Sequence, residues 1–140
     1  MKLHIVAYGR IGRGPEADLV DRYLKRIAWP VALTELSDTG GGKVPDLPQP
    51  AVTIVLDERG QALPSRALAT RLETWRDSGM REARFLIGAA DGHPQPVRDG
   101  ATLLLSFGPA TWPHLLVRAM LAEQLFRATS LLAGHPYHRD

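Results

Sequence analysis

The sequence predicts an α/β fold, built on one mostly parallel sheet with helices on both of its faces. Three observations lead to this prediction. Short apolar runs alternate along the chain with helical repeats of apolar residues, no internal repeat occurs, and the 140-residue length suits a single domain, residues 1–140. Strands that alternate with helices form parallel sheets, and a chain of this length can bury a substantial core.

The first part of the chain contains two predicted strands with a helix between them. Residues 3–8 form a short apolar run that ends at a glycine, which predicts a strand. A helix follows from Pro15, because proline suits a first helical turn and the acids after it suit the positive end of the helix dipole. Pro30 ends that helix. The alternating residues 31–36 predict a second strand, and the Gly- and Pro-rich residues 37–50 predict a loop.

The second part of the chain contains three further predicted strands and two predicted helices. Residues 51–56 read AVTIVL, and such a continuous apolar run is typical of a strand buried on both faces. Residues 64–78 carry apolar side chains at helical spacing. The short apolar runs 85–87 and 102–107 predict two more strands, and residues 114–133 predict the longest helix.

The predicted sheet also indicates where a ligand would bind. Open parallel sheets bind ligands beyond the carboxyl ends of their strands. In this sequence the segments in that position are four loops, at residues 9–14, 57–63, 88–93 and 108–113. We expect the functional site among them.

The last predicted helix is apolar around most of its circumference. A helix covered on one side by its own domain needs only one apolar stripe. The apolar residues of this helix are Leu115, Leu116, Val117, Ala119, Met120, Leu121, Ala122, Leu125, Phe126, Ala128, Leu131 and Leu132. The second apolar face predicts a homodimer, and the alternative is a helix that is central to its own domain.

The composition excludes some functions and favours others. The chain has no cysteine, which excludes disulfides, thiol catalysis and zinc–thiolate sites. No apolar stretch is long enough to span a membrane, and no signal-peptide pattern is present, so we expect a cytoplasmic protein. The net charge is +2, with 14 Arg against 3 Lys. Arginine suits bidentate phosphate contacts, which favours an anionic partner such as RNA, although Arg-rich codon usage would give the same bias.

A glycine-rich loop raises a dinucleotide-binding alternative. Residues 9–14 read GRIGRG, between a predicted strand and a predicted helix, and Asp38 lies downstream at about the distance of a ribose contact. The glycine order is G-x-x-G-x-G, however, not the G-x-G-x-x-G of dinucleotide-binding folds. A turn whose arginines contact RNA phosphate is the favoured interpretation.

Three other chemistries are weaker. Asp57 and Glu58 follow a buried strand and could serve as an acid/base pair, but adjacent loop acids are commonly solvated. His135, His138 and Asp140 could ligate a metal, but a chain end after a helix does not fix a coordination geometry, so we predict no metal. A Ser–His–acid hydrolase lacks its G-x-S-x-G turn.

Four motifs together resemble one family, the SPOUT-superfamily methyltransferases of the RlmH type. The family pattern is a strand ending in V-x-L-D, then L-I-G-G-x-x-G, then L-P-H-x-L-x-R, and a terminal H-P-Y-H-R. The matching stretches, in that order, are residues 55–57, 86–92, 112–118 and 135–139. Residues 1–7 and 23–26 also match, so the resemblance covers nearly the whole chain. The chain departs from the pattern at Ala89, Asp91, Trp112 and Leu115.

The resemblance implies a fold and an activity. Family members have a C-terminal trefoil knot, bind S-adenosylmethionine within it, act as homodimers and methylate N3 of a pseudouridine in large-subunit ribosomal RNA. The substrate implied is the assembled ribosome, and no metal is required. A non-catalytic RNA- or ribosome-binding module of the same fold is the alternative, and binding of S-adenosylmethionine would distinguish the two.

The resemblance also implies the roles of individual residues. The implied cofactor-binding residues are Leu56, Gly88, Phe107, Gly108, Pro109, Ala110, Thr111 and Trp112. The implied catalytic residues are Tyr137, His138, Arg139 and His114. We expect the chain end to close over the cofactor, with Arg139 stabilising charge and His138 positioning the base. The RNA contacts expected on the neighbouring loops are Arg10, Arg13 and Lys43.

Overall fold

The computed structural model describes residues 1–37, 44–89 and 91–139. Within these ranges the strands are β1 (Lys2–Tyr8), β2 (Val31–Leu36), β3 (Ala51–Gln61), β4 (Glu82–Ile87) and β5 (Leu103–Leu105). The helices are α1 (Pro15–Leu24), α2 (Ser65–Asp77), α3 (Gln95–Asp99) and α4 (His114–Leu132). The predicted alternation of strands and helices is confirmed.

Some element boundaries differ from the sequence-based expectation. Strand β3 continues past the apolar run to Gln61, and β4 begins at Glu82 rather than at residue 85. Most residues of both extensions are polar or charged, so the extensions lack the apolar pattern that predicts a strand. Helix α3 was not predicted, because its five residues are too short to show helical periodicity.

The five strands form one parallel sheet in the order β2-β1-β4-β3-β5. Strand β1 pairs with β2 and β4, and β3 pairs with β4 and β5, all in parallel. The carboxyl ends of all strands therefore meet at one edge of the sheet, as the prediction of a ligand-binding edge requires. The architecture confirms the predicted α/β fold. The trefoil knot stays an expectation of the family resemblance.

One face of the sheet carries the apolar core. Alternate residues of the central strands, such as Ile5, Ile54 and Phe85, are completely buried there. Helices α2 and α4 complete this core with residues such as Leu72 and Leu125, and α4 also packs against α1. Burying these side chains contributes about 1.5–3 kcal/mol each and is the main source of stability.

The side chains that alternate with the core include a buried polar network. His4, Glu82 and Arg84 are each at most 5% exposed. The Arg84 guanidinium donates to the Glu82 carboxylate over 2.8 Å and to the backbone carbonyls of Pro45 and Asp46 over 2.5 and 3.0 Å. This network ties the chain segment before β3 to the sheet, which apolar periodicity alone could not predict.

At the edge of the sheet, β3 approaches β5 unusually closely at Gly60. A Cβ atom at residue 60 would lie 2.6 Å from the backbone carbonyl carbon of Leu104. The register of the β3–β5 pairing shifts at the same place, between Leu56 and Gln61. Only glycine allows this approach, and the approach brings the ends of β3 and β5 together around the site described next.

No helix in the described part of the chain is long and apolar enough to cross a membrane.

Candidate cofactor site

A cavity of about 400 Å³ lies at the carboxyl ends of β3, β4 and β5. Three of the four predicted loops line it, and the first turn of α4 completes the wall. Seven residues that the family resemblance implies for cofactor binding line this cavity: Leu56, Gly88, Phe107, Gly108, Ala110, Thr111 and Trp112. Pro109 is exposed and does not line the cavity. The structure thus brings together seven of the eight residues, from segments far apart in sequence.

Gly88 lies at a position where the surrounding loop leaves no room for a side chain. A Cβ atom there would lie 3.1 Å from the Gly92 carbonyl carbon and 3.2 Å from the His93 ring carbon Cε1. The loop closes on itself through the Gly92 N–H, which donates to the Ala89 carbonyl over 2.8 Å. Gly88 therefore lets this loop fold back tightly against β4 and leaves backbone groups at the cavity wall.

The segment after β5 is fixed by hydrogen bonds. The Ser106 hydroxyl accepts from the Gly108 N–H over 3.0 Å and lies 3.2 Å from the Glu58 carbonyl, which it can donate to. The Thr111 hydroxyl donates to the Glu58 carboxylate over 3.1 Å. Gly108 has a positive φ of 105°, which favours glycine. Ser106 is buried. It was not predicted as a site residue, because a single serine after a strand forms no recognisable motif.

Asp57 and two arginines form an ion cluster on the cavity wall. Burial acts to raise the pKa of the Asp57 carboxyl, but hydrogen bonds and charge from Arg59, with the charge of Arg98, outweigh burial and lower the pKa. Arg59 donates to Asp57 through its backbone N–H over 2.9 Å and through Nε over 3.2 Å. Asp57 is therefore a stable carboxylate and a weak base at neutral pH. The arginines were not predicted, because they lie outside the matched motifs.

His93 is a second titratable group at the cavity. Its side chain is buried, and burial lowers its pKa despite the nearby Asp57 charge. Its backbone carbonyl accepts from Arg98 over 2.6 Å. His93 is consequently neutral at physiological pH and packs as part of the cavity floor against Gly88.

The four residues implied for catalysis are divided between two places. His114 lines the cavity. The chain end instead lies along α4: the Tyr137 hydroxyl donates to Glu123 over 3.1 Å, and its ring packs edge-on against Phe126 at 4.6 Å. Burial is the first cause that raises the pKa of Tyr137 to about 12, so the hydroxyl stays protonated.

The other two residues of the chain end also lie outside the cavity lining. His138 Nδ1 is 3.1 Å from Arg127 Nη1 on α4, and Arg139 is exposed. Neither residue lines the cavity, and nor does Tyr137. Within one chain, therefore, the described structure does not bring the terminal motif to this cavity.

The loop expected to contact RNA is tied to α4 by a buried arginine. The Arg118 guanidinium is completely buried, pairs with the Glu35 carboxylate over 2.5 Å and donates to the Gly9 carbonyl over 3.0 Å. The same Glu35 oxygen accepts from the Ile11 N–H over 2.8 Å. Arg10 and Arg13 are exposed on this loop and do not line the cavity. Lys43, and also Asp38 and Asp140, lie outside the described residues.

A second, apolar groove of about 270 Å³ runs between α1 and α4. Its walls include Leu19 and Tyr23 of α1 and Leu116 and Met120 of α4, all partly exposed.

In the described ranges, no three His, Cys, Asp or Glu side chains are grouped so as to hold a metal ion.

Comparison with known proteins defines the family. A family model described as "Predicted SPOUT methyltransferase" matches residues 1–138. The "Ribosomal RNA large subunit methyltransferase H" of Erythrobacter litoralis (strain HTCC2594) is 65% identical over 139 residues, which cover 99% of each chain. Its namesake from Zymomonas mobilis (strain ATCC 31821) is 51% identical over 141 residues, covering 100% of this chain and 99% of the relative.

A solved structure agrees at the level of the fold. That of a probable methylase family protein from Haemophilus influenzae Rd KW20 has a TM-score of 0.60 at 10% identity and covers 99% of this chain and 70% of that one. A parallel sheet with a cavity at its carboxyl edge, together with these matches, defines a methyltransferase. The chain belongs to the SPOUT methyltransferase family and, within it, to the RlmH-type ribosomal RNA methyltransferases.

Proposed function

We propose that this protein transfers a methyl group from S-adenosylmethionine to N3 of a pseudouridine in large-subunit ribosomal RNA, acting on the ribosome in the cytoplasm. The observation that carries the proposal is the gathering of seven implied cofactor residues around one cavity. The relatives, 65% identical over nearly their whole length, are named for methylation of large-subunit ribosomal RNA.

The cavity fits the cofactor in size and in chemistry. Ligand sites are commonly about 300–1,000 Å³ and combine apolar walls with a few placed polar groups. Here Leu56 and Leu105 supply apolar walls. The backbone groups suited to the edges of an adenine belong to Phe107, Gly108, Ala110, Thr111 and Trp112. The tight loop at Gly88 keeps the wall free of a side chain. Bound there, S-adenosylmethionine supplies an activated methyl group, and no metal is needed.

The residues of the chain have to align the acceptor with the methyl donor and to promote removal of the proton from the acceptor nitrogen. Alignment of donor and acceptor can lower a barrier by up to roughly 7–11 kcal/mol. The acceptor nitrogen starts as an N–H, so its reaction needs either a base or a cation that stabilises the resulting anion. His114, at the cavity wall, is the base candidate already in place. Asp57 is a weaker one, since the arginines hold its pKa below the usual value.

The terminal motif would supply the second part of that chemistry. We place Arg139 as the group that stabilises negative charge and His138 as the group that positions the base, with Tyr137 stacking or hydrogen-bonding nearby. The chain end lies along α4 and outside the cavity of its own chain. We therefore propose that a second copy of the chain docks on the α1–α4 groove, and that the chain end of each copy reaches the cavity of the other. Each catalytic site of the homodimer would then contain residues of both chains.

Two measurements test the activity itself. Isothermal calorimetry should give one S-adenosylmethionine bound per chain, and a chain that binds none would be a non-catalytic RNA module. Ribosomal RNA from a strain that lacks the gene should lose one methyl group on a pseudouridine by mass spectrometry. Adding the purified protein to those ribosomes should restore it. Restoration at another base would refute the proposed substrate.

Mixed dimers test whether the chain end acts on a partner. Removal of residues 137–140 should abolish methylation while leaving cofactor affinity unchanged. Gly88→Leu should disrupt the loop at the cavity wall and abolish cofactor binding, since a side chain at residue 88 would collide with Gly92 and His93. When equal amounts of the two inactive variants are unfolded together and refolded, random pairing makes about half of the dimers mixed, and a shared site predicts one working site in every mixed dimer. No recovery would place the chain end on its own cavity.

The loop at residues 9–14 is proposed as a contact with ribosomal RNA. Replacing Arg10 and Arg13 together by glutamine should weaken ribosome binding and reduce its salt dependence, because each phosphate contact adds to the salt slope. Cofactor affinity should not change, since neither residue lines the cavity. An equal loss of both affinities would point to a folding defect.

A further inference from the structure

We propose that the indole ring of Trp112 is a stacking platform for an unpaired base of the substrate RNA at the mouth of the cavity. The inference rests on the proposed function and adds to it a surface and the chemistry that this surface recognises. It concerns a position at which the chain departs from the leucine of the family pattern, so the family does not assign the ring a role.

Trp112 is exposed where exposure is unusual. It is 42% exposed, and Val44 is the only other large hydrophobic residue left exposed within the described ranges. Trp112 lines the cavity, whereas Val44 does not. Trp112 therefore lies where it can contact a molecule that binds at the cavity, and tryptophan is enriched at such contact surfaces because its ring is apolar and its N–H is polar.

The ring is held in place before anything binds. Its Nε1–H donates to the Phe107 carbonyl over 3.3 Å. The neighbouring Thr111 is bonded to Glu58 on the facing segment, which fixes the backbone beside the ring. With its one donor engaged, the indole offers its π-faces. A base can therefore stack on it with little loss of side-chain freedom.

The size of the cavity places the base at its mouth. A space of about 400 Å³ lies at the low end for one ligand, and in a methyltransferase the cofactor occupies it. The acceptor base must then approach from outside and face the methyl group. Trp112, half in the wall and half in solvent, is the aromatic ring on that path.

A cation stands on the same wall. The Arg59 side chain is 65% exposed and is held by the Asp57 carboxylate. Arg59 adjoins Glu58, and Trp112 adjoins Thr111, so the Glu58–Thr111 hydrogen bond links the two neighbours across the mouth. An aromatic face with a positive charge beside it is the recurring combination in sites for single-stranded nucleic acid.

Two substitutions at one position separate stacking from packing. Trp112→Leu restores the leucine of the family pattern and keeps apolar bulk, and Trp112→Phe keeps an aromatic face while losing the N–H. We expect Trp112→Leu to lower kcat/KM for ribosomes by about 5- to 100-fold, the range of one base–aromatic stack, and Trp112→Phe to lower it only a few-fold. The affinity for S-adenosylmethionine by calorimetry should stay within about two-fold for both, since the proposed contacts between this segment and the cofactor use backbone groups. Val44→Ala, the other exposed apolar residue, is the matched control and should behave as wild type.

Three results would overturn the inference. Trp112→Leu could match wild type, it could lose cofactor affinity in parallel with activity, or Trp112→Phe could be as impaired as Trp112→Leu, which would implicate the hydrogen bond to Phe107. If the wild-type protein does not methylate ribosomes at all, the proposed function fails. The platform is then tested alone by fluorescence: a short unpaired RNA should quench the emission of wild type more than that of Trp112→Phe, and equal quenching would refute it.

Discussion

At the scale of single residues, His4 shows how a buried polar group is satisfied. Its Nδ1 lies 3.2 Å from the Glu82 carboxylate and its Nε2 lies 2.8 Å from the Thr34 hydroxyl. A carboxylate can only accept, so Nδ1 carries the proton and Nε2 accepts from Thr34. Burial lowers the pKa of His4, although the Glu82 charge opposes it. The imidazole is therefore neutral in the folded protein.

This neutral histidine predicts an acid-sensitive fold. The pKa values of His4 and His93 are lower in the folded than in the unfolded protein, so the unfolded state binds more protons below about pH 6.5. The free energy of unfolding should fall between pH 7 and pH 5, by at most about 1.4 kcal/mol per pH unit for each histidine. Urea titrations across this range measure the slope.

Substitution separates the contribution of His4. His4→Gln should lower stability at pH 7, because it disturbs a buried network, but should reduce the loss of stability on acidification. His135→Gln, at an exposed histidine near the chain end, should keep the wild-type slope. An unchanged slope in His4→Gln would contradict the assignment of His4 as a neutral buried group.

At the scale of elements, the contact between β3 and β5 depends on Gly60. Gly60→Ala should lower the free energy of unfolding by roughly 1–3 kcal/mol, because its Cβ would force apart the backbones of two paired strands. Gly100→Ala is the control, since a Cβ there meets only an ordinary contact of 3.5 Å with the Pro96 carbonyl. Denaturant unfolding of both variants is the measurement, and equal stabilities would show that β5 can shift freely.

The link between α4 and the loop after β1 is a second prediction at this scale. Glu35→Gln should lower the free energy of unfolding by about 1–3 kcal/mol, less than for a fully buried pair, because the Glu35 side chain is 32% exposed. Asp21→Asn breaks the exposed Asp21–Lys25 pair on α1 and should change stability within error. Ribosome binding by Glu35→Gln should weaken more than cofactor binding, since Glu35 also holds the Ile11 N–H. A parallel loss would argue against a role in loop position.

At the scale of the whole molecule, the groove between α1 and α4 leads to a prediction of assembly. Leu116 and Met120 are partly exposed apolar residues on the groove side of α4. We expect a dimer at micromolar concentration by sedimentation. Leu116→Lys should yield a folded monomer that binds cofactor and does not methylate, whereas Val44→Lys should remain dimeric. A wild-type monomer would remove the proposed route for the chain end.

The α/β class, the parallel sheet and the edge at which the cavity lies could all be predicted from the sequence. Each of these follows from local patterns: the apolar run at residues 51–56, the glycine that ends a strand at Gly88, and the proline that precedes α4. The motif matches also indicated segments that line the cavity, because those motifs are continuous stretches of chain. Local order is enough to carry such information.

The contacts between residues far apart in sequence could not be predicted and are visible in the folded structure alone. The fold brought Arg98 of α3 to Asp57 of β3, bonded Arg118 to Glu35, and laid the terminal motif along α4 rather than in the cavity. These contacts join residues on different elements, and the ion pairs are set by the folding of those elements upon one another. The physical reason is that hydrogen bonds and charges act over a few ångströms in space, whereas sequence patterns report only neighbours along the chain.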